Sequence, residues 1–462
     1  MTLAGVCLAQ DQNKLIFVLP QAINARPQQT VTVKDVDPFR AGEDFANTVA
    51  SNSSFGNVSS VLARPFFIGV ATQLSTIPIA SPASGVIFKE DPATGVALPS
   101  AQSLGPILTE RAETIGKGKF YIGLTRQQFR FEKLESQEIG RLRVLDKGGV
   151  ATRVYQDGVQ QLTSPTTVFT QIDARIDQNA ALVTYGITNR LDVSVAMTWV
   201  NSSLGVAASD AQIYNTGDPF NAATCWCAQT FDVNSSRATF GQDFGRSGFA
   251  VPGIFGSVRR SSTGIGDTMI RGKGTIFESR QAALAIGGDL RLPTGDALDL
   301  HGQGAVSFKP YAALSLHSGS LGKVRISPHF NVGYQFMGDS VLAGDPIANT
   351  KEALPNQFNW AVGAATSITD RFTLVTDIVG VTLLDASRLI VDSATARGRN
   401  IPDATGVTTG PNKQNLTMTN GAFGLKLKLV GNLVFSTNLL VSFDENGLRD
   451  KLVPLFGVGY SF

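Results

Sequence analysis

The chain has 462 residues, 47 of them glycine; only 16% are charged, and the formal net charge is +2. Soluble proteins carry roughly 25% charged residues, and so small a net charge gives no footing for a nucleic-acid partner. No run of about 18 apolar residues is present to cross a bilayer as a helix, which leaves a soluble β-sandwich or a membrane barrel.

Met1 to Ala9 is apolar and uncharged, and Cys7-Leu8-Ala9 puts small residues at the −3 and −1 places of an export cleavage site. Residues 1–9 are therefore expected to be a truncated signal-peptide remnant, lacking the usual positive start. Residues 10–117 read differently from the rest. They are rich in Ser, Thr, Asn, Ala and Pro and hold no long alternating segment, so an irregular N-terminal region is expected, either a periplasmic extension or a plug in a lumen.

From 118 to 462 one pattern recurs: ten or so residues of alternating character, then a turn. Between Lys323 and Phe336, Val324, Ile326, Pro328, Phe330, Val332, Tyr334 and Phe336 share one face, opposite Arg325, Ser327, His329, Asn331 and Gln335. The split recurs in Leu191–Trp199, Phe423–Leu429 and Asn432–Phe443. Globular strands average about five to six residues, whereas tilted membrane strands need about 9–11. The longer figure fits here, and charges such as Asp289, Arg325 and Lys426 stand mid-strand on the polar face, which suits a wet lumen.

Short turns near 188–190, 278–280, 318–320, 369–370 and 430–431 alternate with long connections near 202–262, 294–303, 339–354, 385–412 and 445–451. That rhythm predicts an all-β, antiparallel up-and-down transmembrane barrel of about 12 strands, with about 14 the alternative count. The first two strands are expected over 119–131 and 168–187. Pro310 and Pro328 fall inside predicted strands and call for bulges. The last strand ends Phe456, Val458, Tyr460, Phe462 at alternate positions, resembling the terminus by which barrel-assembly machinery recognises outer-membrane proteins.

The expected partners are accordingly outer-membrane lipid, that machinery and a small-molecule solute, at the cell outer membrane. The inward positions give lumen-lining candidates Arg271, Lys273, Asp289, Arg291, Lys309, Arg325, His329, Asp377, Lys426 and Lys428. Asp173, Arg175, Asp177, Asp192, Asp267, Lys323 and Arg371 are assigned inward as well. A basic excess in a narrow channel would favour anionic or polar-headed solutes, and a closed network of paired charges is the equal alternative.

No Cys/His spacing among Cys7, Cys225 and Cys227 resembles a zinc site, and no cofactor is expected. Gly264-Ile-Gly-Asp267 and Pro293-Thr-Gly-Asp296 are followed by strands, not the helix that a phosphate loop needs, and are assigned to turns at the outer rim. Those two motifs, with the strands Ala282–Leu292 and Gly302–Leu316, resemble the meta-pathway phenol-degradation family of outer-membrane proteins. Ile77–Pro82 and Gly105–Arg111 are similar to segments that precede barrels in that family. The resemblance is clearest over 264–462; it implies a channel or transporter for small hydrophobic or aromatic molecules, and no catalytic residues.

Two other functions compete. A structural or surface-binding role would use the long loop between Asn201 and Thr263, and an outer-membrane lipid hydrolase would have to draw on His301, His317 or His329. Alternation turns His317 and His329 inward, which disfavours the enzyme.

Overall fold

A computed structural model describes residues 13–24, 47–49, 53–75, 88–90, 97–99, 109–148, 150–155, 158–163, 165–214, 248–317, 324–345, 348–396 and 399–462. Residues 1–12 (which include the proposed signal remnant, 1–9), Cys225 and Cys227, the turn at 318–320 and Lys323 lie outside the described residues. No described helix is long and apolar enough to cross a membrane.

Two helical pieces come first, α1 (Val18–Asn24, entered through the helical turn Leu15–Phe17) and α2 (Ser53–Ser75). Twelve strands then close an antiparallel barrel. They are β1 (Phe120–Phe131), β2 (Thr166–Thr188), β3 (Leu191–Tyr214), β4 (Gly248–Ile265 continuing as Thr268–Glu278), β5 (Ala282–Leu292) and β6 (Ser307–Leu316). β7 (Arg325–Met337), β8 (Gln357–Ser367), β9 (Phe372–Ala386), β10 (Gln414–Lys428), β11 (Leu433–Ser442) and β12 (Leu452–Ser461) complete it. The seam is β12 on β1, from Leu455↔Gln127 to Ser461↔Tyr121. Short turns join β2–β3, β4–β5, β8–β9 and β10–β11 at one end, and longer connections lie at the other, which sets the periplasmic and outer sides.

The outer face carries an apolar belt. Phe120, Ile122 and Leu124 on β1, Val183, Tyr185 and Ile187 on β2, and Leu191, Val195, Met197 and Trp199 on β3 all point away from the interior, and Leu124 is 58% exposed. Aromatic pairs mark its periplasmic edge, with ring centroids 4.6 Å apart for Phe120–Tyr185 and 4.7 Å for Tyr460–Phe462. A large apolar belt of this kind would be a liability in water and is stable against hydrocarbon. The chain is therefore a transmembrane barrel of the outer-membrane type.

Above the belt the polarity of the strands inverts. On β2 the outward row changes from Ile187, Tyr185 and Val183 to Asp177, Arg175 and Asp173, while the inward row changes from Thr184 and Gln178 to Ile176 and Ile172. β1 does the same, with Arg126 and Arg130 outward and Phe129 and Phe131 inward, their rings stacked at 5.6 Å. The cause is what lies inside. α1 and α2 pack there, and Leu15, Ile16, Phe17, Leu19, Phe66 and Phe67 join one core with Ile172, Ile176, Leu204, Val206 and Met418. On α2, Leu62, Phe66, Val70 and Leu74 are buried at helical spacing. Gly69 lets Leu448 approach closely, since a Cβ there would meet the Leu448 Cβ at 2.6 Å.

Three expectations need correction. Asp173, Arg175 and Asp177 face outward, because the apolar plug claims the inward row at that height; Asp173 pairs with Arg175 (3.1 Å) and Arg259 (2.7 Å) outside. The prolines need no bulge. Pro310 falls in a gap of the β6–β7 ladder, which steps from Phe308↔Phe336 to Tyr311↔Gly333 without changing register, and Pro328 stands beside its last pair, Ser315↔His329. Gly264–Asp267 is no rim turn but the break within β4, where a Cβ on Gly266 would lie 2.1 Å from the Thr198 Oγ1. There the Asp267 carboxylate accepts from the backbone amides of Gly295 (3.2 Å) and Gln303 (2.9 Å).

Candidate functional site

Below α2 a second N-terminal segment crosses the lumen, the strap Thr109–Gly116, every residue of which is buried. Backbone and side chains both tie it to the wall. Asn331 on β7 accepts from the Glu110 amide (2.6 Å) and donates to the Glu110 carbonyl (2.8 Å). On β6 the Ser315 hydroxyl accepts from the Ala112 amide (3.0 Å), and on β3 Asp192 accepts from the Ile115 amide (3.0 Å). Lys273 is only 2% exposed. Its ammonium donates to the Glu110 carboxylate (2.8 Å) and to the carbonyls of Arg111 (3.0 Å) and Glu113 (2.8 Å).

Charge is concentrated at the same level. Arg271 donates through Nε and Nη2 to both oxygens of Asp289 (2.6 and 2.8 Å) and through Nη1 to Glu110 (2.6 Å). Lys309 closes on Asp289 at 3.1 Å, and the Arg271 guanidinium lies 5.5 Å from the Tyr311 ring centre. Glu113 meets Arg111 (3.3 Å), His317 (3.1 Å) and the Ser315 hydroxyl (3.0 Å). Between strap and α2 remains a cavity of about 200 Å³, whose lining includes Arg271, Asp289, Lys309, Tyr311, Asn359 and Arg449. Gln73 and Ser75 of α2 form part of its roof and Glu110 part of its floor.

The candidate residues separate into groups. Arg271, Asp289, Arg291 and Lys309 line the cavity, and Arg291 donates upward to α2. Lys273 is fully engaged with the strap. His329 meets Asp377 at 2.7 Å on the inner wall, and Lys426 is fully buried nearby. Arg325 pairs with Asp370 (2.7 Å) at the periplasmic rim, and Lys428 and Arg371 lie at that rim too. Sequence reasoning did not single out Glu110, Arg111, Glu113 or Tyr311 as site residues, and it placed Asn331 on the polar face without giving it a role. The sequence held no signal for the strap, since the charge of Glu110-Arg-Ala-Glu113 is matched by other clusters of the same segment, such as Lys34-Asp35-Val-Asp37 and Lys89-Glu-Asp91.

Neither His317 nor His329 faces the lipid, and His301 is buried behind the β4 break, where a Cβ on Gly264 would touch its ring at 2.5 Å. Among the described residues no group of His, Cys, Asp and Glu is placed to hold a metal ion.

The class is thus an outer-membrane β-barrel whose lumen holds its own N-terminal segments and a charged cavity. No family model matches the chain, and no curated protein matches it. Among solved structures it is similar to an outer membrane channel of Pseudomonas putida F1, 12% identical, covering 76% of this chain and 98% of that one with a TM-score of 0.40. It is also similar to the NanC porin (9% identical, 74% and 98% covered, TM-score 0.33). The translocator domain of the autotransporter NalP from Neisseria meningitidis is similar too (10% identical, 75% and 89% covered, TM-score 0.23). Likenesses of this size carry no weight for the solute, and the barrel stands on its own pairing and belt.

Proposed function

We propose that the chain is an outer-membrane channel for small molecules, hydrophobic or aromatic ones among them. The observation that carries the reading is the buried charge of the lumen around the cavity between α2 and the strap. Replacing buried ion pairs with packed apolar residues is often neutral or stabilising by about 1–4 kcal/mol, so a barrel selected only for rigidity has little reason to keep Arg271, Asp289, Lys309 and Glu110 together. The sequence resemblance to the phenol-degradation family supports the solute class. Lipid around the belt, and assembly machinery gripping the β12 strand that leads to Phe462, are the partners this reading supplies. Liposome swelling with phenol-sized neutral solutes and single-channel recording in planar bilayers test it; a folded barrel without flux or conductance steps in both would remove it.

A surface-binding role is favoured by one feature, the ribbon of β2, β3 and upper β4, which rises beyond the belt with Asp173, Arg175 and Arg259 on its outer side. A lipid hydrolase gains no support from histidines set off the lipid face.

A further inference from the structure

We propose that Arg271 and Lys273 form a carboxylate-binding site of the lumen, that the strap fills it with its own Glu110, and that a small carboxylate solute competes with Glu110 for the place. The site rests on the channel reading only for the route by which the solute arrives.

Each oxygen of the Glu110 carboxylate has its own cation: Oε2 accepts from Arg271 Nη1 at 2.6 Å and Oε1 from Lys273 Nζ at 2.8 Å. Charge-assisted bonds of this length are about twice as strong as neutral ones. The guanidinium is fixed beforehand. Asp289 takes its Nε and Nη2 edge, so Nη1 is the part turned to an incoming carboxylate, and Lys309 holds Asp289 in turn. Glu110 itself belongs to no strand of the wall; its backbone is held by Asn331, so its side chain can leave the cations while the strap stays in place.

Space and unmet hydrogen bonding lie next to the site. The cavity of about 200 Å³ reaches both Glu110 and Arg271, enough for a short acid. Two of its lining groups, the Tyr311 hydroxyl and the Asn359 amide nitrogen, are buried without a partner among the described residues. A buried polar group left unsatisfied costs about 1–3 kcal/mol, so these positions are suited to a polar ligand. Phe129, Val381, Met418 and Leu440 line the same cavity and would receive the short apolar tail of the acid.

The test uses the full chain in detergent micelles, with butyrate as probe and butyramide as its uncharged counterpart at constant ionic strength. Binding is read by titration calorimetry and by the fluorescence of Trp360, which lines the cavity. Butyrate is expected to bind and butyramide not. Glu110→Gln keeps the size and hydrogen bonding of the competitor without its charge, and should raise butyrate affinity about tenfold. Arg271→Gln should abolish binding while heat-modifiable mobility shows a folded barrel; Lys273→Gln is used if that variant does not assemble. Equal binding of butyramide, or a Glu110→Gln affinity within twofold of the native chain, overturns the proposal. Butyrate binding without conductance would remove the channel and leave the site; conductance with no butyrate binding would remove the site and leave the channel.

Discussion

Arg291 on β5 donates to the carbonyls of Leu74 (3.2 Å) and Ser75 (2.8 Å), the last two residues of α2. The final carbonyls of a helix lack partners within it and carry its partial negative charge. A cation of the wall thus caps a helix of the plug. Arg291→Met should leave both carbonyls buried and unpaired, loosening α2 by about 1–3 kcal/mol. Hydrogen exchange should then quicken across 61–75 while β5 and β6 keep their protection; unchanged exchange in α2 would mean that the cap does not hold it.

Asp267 performs the matching task at the break in β4, where its carboxylate serves the amides of Gly295 and Gln303. Asp267→Ala deprives both and should lower unfolding stability in urea by about 1–3 kcal/mol, most visibly in the 294–303 connection. A loss below about 0.5 kcal/mol, the usual effect of an unconstrained surface change, would show that the break is held by other contacts.

At the outer end, Lys14 donates to Asp296 (2.9 Å) and Asp299 (2.7 Å), fastening the α1 segment to the β5–β6 connection. The hydrogen bond to Asp299, followed by that to Asp296, holds the Lys14 ammonium above its usual range. Burial pushes the Asp296 carboxyl up, but the Lys14 bond and charge together with the Leu298 and Asp299 amides outweigh it, and the net direction is down. The lowered acid contributes above its unfolded pKa of about 3.9 and is lost as pH falls through the lower folded value. The raised base contributes below about 10.4 and is lost as pH rises through the higher folded value. Proteolytic protection of residues 13–24 should therefore be level from about pH 5 to 9 and decline below about pH 4. A midpoint near pH 6.5 would assign the fastening to histidine instead.

The belt makes a prediction that depends on depth. Val195 stands outward between Leu191 and Trp199, so Val195→Arg should destabilise the barrel by about 2–4 kcal/mol in lipid. Gln171→Arg, on the outward row of β2 among polar residues, should change stability by less than about 0.5 kcal/mol. Equal effects in reversible urea unfolding would show that the belt does not end where the strand polarity inverts.

That inversion also explains what the sequence could and could not yield. Alternation in Leu191–Trp199 and Lys323–Phe336 was enough for the barrel, because a membrane strand has one apolar face at constant phase. The rule that charged means inward then failed at Asp173, Arg175 and Asp177, where the lipid had ended and the plug required the apolar row instead. The change of phase along Thr166–Thr188 was itself readable as evidence of an apolar body inside the outer half. The Glu110 site was not readable. Its parts are spread over the strap, β4 and β5, and neither local periodicity nor propensity reports which strand a strap will lie across.

The seam between β12 and β1 joins a wall whose two edges are the first and last of its twelve strands along the chain. The ring is therefore shut by a pairing of its two most distant strands, and α1, α2 and the strap all precede β1 in the chain. Enclosing these segments before the seam zips is the easier route, since a finished ring would have to be threaded by them.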